Sequence, residues 1–182
     1  MRTILAGAML GLGLLGGCAA GTIPPQPYEP PLRLGVATSP ISSSVLVPPG
    51  SGLVYVSGTV PDVADQTASE GSVARYGDTE TQTRSILRKI HNELGVHGLG
   101  LNNVVMMRVF LVAPPERSRM DFAGMMRAYR EAFGTPSNPN KPARSTMQVA
   151  GLVDPGWLVE IEVTAAFDRR ERAEIIPTGD RR

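Results

Sequence analysis

The sequence is short of the residues that most often announce chemistry. Its 182 residues include one cysteine and two histidines, His91 and His97. A single cysteine excludes a disulfide framework and a thiolate zinc site. The two histidines are six apart with Gly95 between them, so they share no helix face as metal-ligand pairs do. Aromatic residues make up 5% of the chain, too few for a base-stacking platform. Charge of one sign is missing too, with 18 Lys+Arg against 17 Asp+Glu. That balance argues against a protein that grips nucleic acid by neutralising phosphates. Neither a metal nor a nucleic-acid partner is expected.

What the chain does have begins at its N-terminus. Arg2 supplies a positive start, and Ile4 to Leu15 form an apolar run of the length secretory signals use. The run is shorter than the ~20 apolar residues of a membrane span. It ends in Leu15-Gly16-Gly17-Cys18, which resembles a bacterial lipobox. The resemblance implies cleavage after residue 17, acyl chains on Cys18, and a lipoprotein of the cell envelope facing the periplasm. Ala19, rather than Asp, then points to the outer membrane. The alternative is an ordinary signal peptide with a chance cysteine. Gly11, Gly13 and Gly16 match G-x-G-x-x-G, but a dinucleotide fingerprint needs a strand before it and a helix after it. A leader segment offers neither, so no nucleotide cofactor is expected. Removing residues 1–17 takes away Arg2 alone and leaves 17 basic and 17 acidic residues.

Residues 18–32 hold five prolines and form an extended tether. Residues 168–182 are dense in Arg and Glu without apolar periodicity, as in a solvated tail. The expected domain is therefore 33–167. Within it, Val45 to Val47 and Leu53 to Val56 predict two strands joined by the Pro48–Gly52 turn. Residues 60–77 predict a loop. Thr79-x-x-Gln82 has capping-box spacing ahead of Ile86, Leu87, Ile90 and Leu94, so a helix is expected there, closed by Gly95. Val104 to Val112, apolar except for Arg108, predicts a central strand. Phe122, Met125, Met126, Tyr129 and Phe133 predict a helix over about 118–133, with Gly134 as its stop. Ala143 to Val149 and Leu158 to Ala166 predict the last strands. The order β-β-α-β-α-β-β suggests an α+β fold with one sheet and both helices on one face. The other face needs a cover, and self-association is the natural one.

Pro142-Ala143-Arg144-Ser145-Thr146, Gly151-Leu152 and Val159-Glu160-Ile161-Glu162-Val163 resemble the RidA/YjgF family of reactive-intermediate deaminases. Val56-Ser57-Gly58, Val60-Pro61, Val104-Val105-Met106, Phe122, Tyr129 and Phe133 agree in order, so the resemblance covers about 36–167. It implies a chorismate-mutase-like fold, a homotrimer, and a ligand cleft at each subunit interface. Arg144 is then the clamp for the carboxylate of a small 2-imino acid, through the paired hydrogen bonds a planar guanidinium can donate. Glu160 corresponds to the acidic residue that positions or activates water. Gly58 and Thr146 line the same cleft. Hydrolysis of a C=N bond needs water at carbon and a proton at nitrogen, which a carboxyl group can manage; no cofactor is required.

Blander roles exist for the same residues. An arginine opening a strand often sits in a surface or interface ion pair. Glu160 and Glu162 share one strand face, and either can pair with Arg144 or with a neighbour. Arg108 is a second cationic ligand group or an interface ion pair, and the Met106/Met107 and Met125/Met126 pairs are core filler. The chain also departs from the family. Active relatives carry Gly-Pro-Tyr in the N-terminal loop, whereas this chain has Ser39-Pro40-Ile41-Ser42-Ser43, leaving Ser42 or Ser43 to supply a hydroxyl. Two functions stay open: an enamine/imine deaminase, and a trimeric module that binds a small carboxylate without turning it over.

Overall fold

The computed structural model describes residues 27–170. The expected signal segment, Cys18 and the tail from 171 onward lie outside the described residues. Among the described residues the strands and α-helices follow in order: β1 (Leu32–Leu34), β2 (Ser44–Leu46), β3 (Ser51–Thr59), α1 (Val73–Tyr76), α2 (Thr79–Val96), β4 (Val104–Leu111), α3 (Phe122–Ala132), β5 (Ala143–Gln148) and β6 (Val159–Asp168), with a 3-10 turn at Leu101–Asn103 before β4. Four strands form one mixed sheet in the order β3-β6-β4-β5. Its pairings are antiparallel except β4 with β5. That parallel pair needs a crossover, and α3 provides it.

Side chains alternate across the sheet with period two. Met107, Val109 and Leu111 of β4 stand opposite Val163, Ile161 and Val159 of β6. All six are buried, in one cluster with Ile86, Leu87, Ile90 and Leu94 of α2 and Met125, Met126 and Tyr129 of α3. Full burial of each large aliphatic side chain contributes roughly 1.5–3 kcal/mol. The other parity of the same strands, Met106, Arg108 and Phe110 with Thr164, Glu162 and Glu160, lies on the opposite, helix-free face. The α+β class and the two long helices on one face are as expected.

Several local expectations change. The Pro48–Gly52 segment turns, with the Ser51 amide donating to the Pro48 carbonyl at 3.3 Å, but no hairpin forms. β2 pairs with β1 in a separate two-stranded ribbon, and β3 pairs with β6. Pro48 and Pro49 have no amide hydrogens with which to extend a ladder. The strand at 32–34 and the helical turn at 73–76 were not expected, and β6 runs to Asp168, one residue into the expected tail.

The capping box is replaced by an aspartate cap. The Thr81 amide donates to the Asp78 carboxylate at 2.8 Å, and α2 runs past Gly95 to Val96. Gly98, at φ +66°, takes the left-handed turn instead. α3 begins at Phe122 rather than 118 because Asp121 accepts from the Gly124 amide. Gly134 follows it at φ +70°.

Gln82, freed from capping, is fully buried. Its Nε2 donates to the carbonyls of Gly77 and Gly156 at 2.9 and 3.0 Å, and its Oε1 accepts from the Leu158 amide at 2.8 Å. One side chain thereby ties the start of α2 to the turn that feeds β6, satisfying three backbone groups that burial would otherwise strand.

Candidate active site in two halves

β5 is an edge strand of the sheet, paired along its length with β4 and met on its other side by an isolated bridge from Ser42 to Ala143. Its register places Arg144 opposite Met107 and Thr146 opposite Val109, so both are on the helix-covered face. Arg144 runs back over the start of α3. Its guanidinium carbon lies 4.3 Å from the centroid of the Tyr129 ring and 5.8 Å from that of Phe122. Nη2 is 3.2 Å from the Met126 sulfur and Nη1 is 3.9 Å from the Met125 sulfur. Thioethers are weak acceptors, and no carboxylate of the described residues comes within ion-pairing distance. Nε is buried without an acceptor, as is the Thr146 hydroxyl. Burial lowers the pKa of Arg144 from its ordinary value, with the Tyr129 phenol opposing and Arg130 adding to the effect. An arginine stays cationic through such a change. The result is a half-buried cation held by aromatic and sulfur contacts, with no counter-charge. Met125 and Met126 belong to the core as expected, but their sulfurs also shape this environment.

The second half lies near the opposite edge. β3 pairs only with β6, and its register slips between Val56 and Thr59, a bulge that carries Ser57 and Gly58. A Cβ at Gly58 would sit 1.9 Å from Oε1 of Glu160. The glycine therefore leaves room for that carboxylate to lie over β3. Along the same strand a groove of about 550 Å³ runs between β3 and the C-terminal half of α2, lined by Gly58 but not by Glu160 and reaching Lys89, Asn92 and His97. Glu162 pairs with Arg108 across the strands at 3.4 Å, so within one protomer that arginine has a carboxylate partner. Among the described residues Glu160 has no ion-pair partner.

The structure brings Gly58 to Glu160 and Thr146 to Arg144, but it does not bring the two pairs together. β6 and β5 are separated by β4, roughly 10 Å at ordinary strand spacing, and Arg144 and Glu160 are on opposite faces. A small imino acid cannot touch both on one protomer. The N-terminal loop adds no hydroxyl from Ser42. That hydroxyl donates to the Lys141 carbonyl at 2.6 Å, and Ile41 packs against the core. Sequence reasoning missed Tyr129 as a neighbour of Arg144. Its helical spacing marked it as core, and only the crossover of α3 over β5 reveals the contact. Among the described residues no three His, Cys, Asp or Glu side chains converge to hold a metal ion.

The chain is similar to known proteins in sequence and in fold. The mitochondrial protein MMF1 of Saccharomyces cerevisiae is 29% identical over 133 residues, covering 68% of this chain and 81% of the relative. The Rid-family protein YyfB of Yersinia pestis superposes with a TM-score of 0.54 at 21% identity, covering 76% of this chain and all of that one. A YjgF/YER057c/UK114-family protein of Mycobacterium tuberculosis is 30% identical with a TM-score of 0.46, over 69% of this chain and 86% of that one. The profile of the endoribonuclease L-PSP family matches residues 37–167, which is nearly the whole folded unit, and the chain belongs to that family, the RidA/YjgF family of the sequence resemblance.

Proposed function

We propose that the protein is a RidA-like enamine/imine deaminase whose cleft is completed between copies of the chain. The observation that carries this reading is Arg144, a half-buried cation without a carboxylate partner. Such a group costs stability unless a ligand supplies the missing charge. The family is generally trimeric and includes both imine deaminases and proteins described as endoribonucleases. A charge balance this close to neutral favours a small substrate over RNA.

The two half-sites sit toward opposite edges of one sheet, so in this reading a head-to-tail contact packs the β5 edge of one copy onto the helix-free face beside β3 of the next. Repeated three times, that contact closes a ring and supplies the cover that the helix-free sheet face lacks. In each cleft Arg144 grips the substrate carboxylate, and the neighbouring copy's Glu160 receives a proton from the attacking water. Water adds to the imine carbon and the carboxyl group returns the proton to nitrogen, giving a carbinolamine; the carboxylate then carries the hydroxyl proton to the amine, and ammonia leaves as the C=O bond forms. Gly58 and Thr146 shape the walls. The Leu15–Cys18 segment supports a lipid anchor on Cys18 and a place in the cell envelope. Mass spectrometry of the protein purified from membranes would find an acylated Cys18 as the new N-terminus; an unmodified Cys18 would remove that part.

The deaminase reading is tested by generating 2-imino acids in situ with an amino-acid oxidase and following imine loss. Acceleration by the wild type, abolished in Arg144→Ala, supports it. The absence of a tyrosine from the Ser39–Ser43 loop favours the second reading, a carboxylate-binding module. Carboxylate binding without acceleration across the panel would select that reading.

A further inference from the structure

Tyr129 does more than fill the core. Its ring is 1% exposed and lies under the Arg144 guanidinium at 4.3 Å. On its other side it stacks on Phe133, with ring centroids 4.9 Å apart and 23° between planes. Its hydroxyl donates to the Pro40 carbonyl at 3.0 Å. Three independent contacts thus fix the ring, and the ring is the nearest strong attractor the guanidinium has: the sulfurs are weak acceptors and Nε has none. A cation over an aromatic face is held by the ring quadrupole, most strongly where water is excluded.

We propose that Tyr129 is the positioning residue for Arg144: its π-face holds the guanidinium in place, and its hydroxyl separately secures the Pro40 loop. The inference rests on Arg144 as the carboxylate clamp only in its kinetic consequence. An arginine without this platform has a long, freely rotating side chain, and substrate binding must then order it. The two functions of Tyr129 are separable because one uses the ring face and the other the oxygen. Tyr129→Phe keeps the first and loses the second.

The test uses the full chain labelled with ¹⁵N in its arginine side chains. In the wild type and in Tyr129→Phe, the Arg144 Nε–H is expected to be rigid, with an order parameter near that of ordered backbone, about 0.85. Tyr129→Leu is expected to drop it below about 0.6 and raise KM for a 2-imino acid about tenfold, with kcat nearly unchanged. Should the leucine variant fail to fold, fluorinated phenylalanines placed at 129 keep the ring's shape while draining its quadrupole. The Arg144 order parameter should then fall stepwise with fluorination. Unchanged Arg144 order across the fluorinated series, or equal loss of order in Tyr129→Phe and Tyr129→Leu, overturns the proposal. Loss of order with no turnover in any variant, wild type included, upholds the platform and overturns the deaminase reading instead.

Discussion

On β4, Met107, Val109 and Leu111 are fully buried under the helices, while Met106, Arg108 and Phe110, one residue away in each case, lie on the helix-free face. β6 repeats the division with Val159, Ile161 and Val163 against Glu160 and Glu162. The covered face is almost wholly apolar and is satisfied within one protomer. The helix-free face mixes charge with large exposed apolar groups, including Tyr55 at 75% exposure and Leu53. Adjacent residues on one strand thus answer to different demands. One parity stabilises the protomer, and the other is left without a cover within it. Arg144 is the exception, a charged group on the covered face of an edge strand, and the proposed carboxylate clamp.

Single substitutions on β6, β3 and β4 put that division to the test. Turnover should change most. Under the proposed mechanism Glu160→Gln removes the proton acceptor and should lower kcat about 10²- to 10⁴-fold, while thermal unfolding stays close to wild type because the side chain has no ion-pair partner among the described residues. A wild-type kcat in this variant would remove Glu160 from the chemistry. Next to it, Ile161→Ala deletes a fully buried side chain and should cost about 2–5 kcal/mol in denaturant unfolding. A loss below about 1 kcal/mol would mean that the helix-covered face is not the protomer's core.

Gly58→Ala pushes the Glu160 carboxylate aside without filling the core. Activity should drop by up to about 100-fold with the unfolding midpoint little changed. Full activity would show that Glu160 acts from another position. The smallest effect belongs to Arg108→Ala, which opens the Arg108–Glu162 pair. Surface pairs of this kind contribute about 0–1 kcal/mol, so protomer stability should barely move. A large stability loss that depends on protein concentration would place Arg108 in an interface.

The long, strongly periodic elements were legible in the sequence, and so was the parity of Glu160 and Glu162. Legibility failed where a tertiary contact outbid a local signal. Gln82 has capping-box spacing, yet its amide is drawn inward to three backbone partners, and Asp78 caps instead. The Pro48–Gly52 turn looks like a hairpin, but strand partners are chosen by edges that only the assembled sheet defines. The separation of Arg144 from Glu160 was invisible for the same reason: a motif orders residues along the chain and is silent about which face of which strand each will occupy. The Tyr129–Arg144 contact joins positions that share no element, so no periodicity could announce it.

The Gln82 clamp also has a kinetic meaning. Its bonds to Gly156 and Leu158 span 74 and 76 residues of chain, so closing them requires a long loop to form before any reward is collected. The Leu158 amide cannot meet solvent by fraying of a nearby end. It exchanges its hydrogen only when α2 and the approach to β6 come apart together, and its exchange rate therefore reports opening of the whole domain.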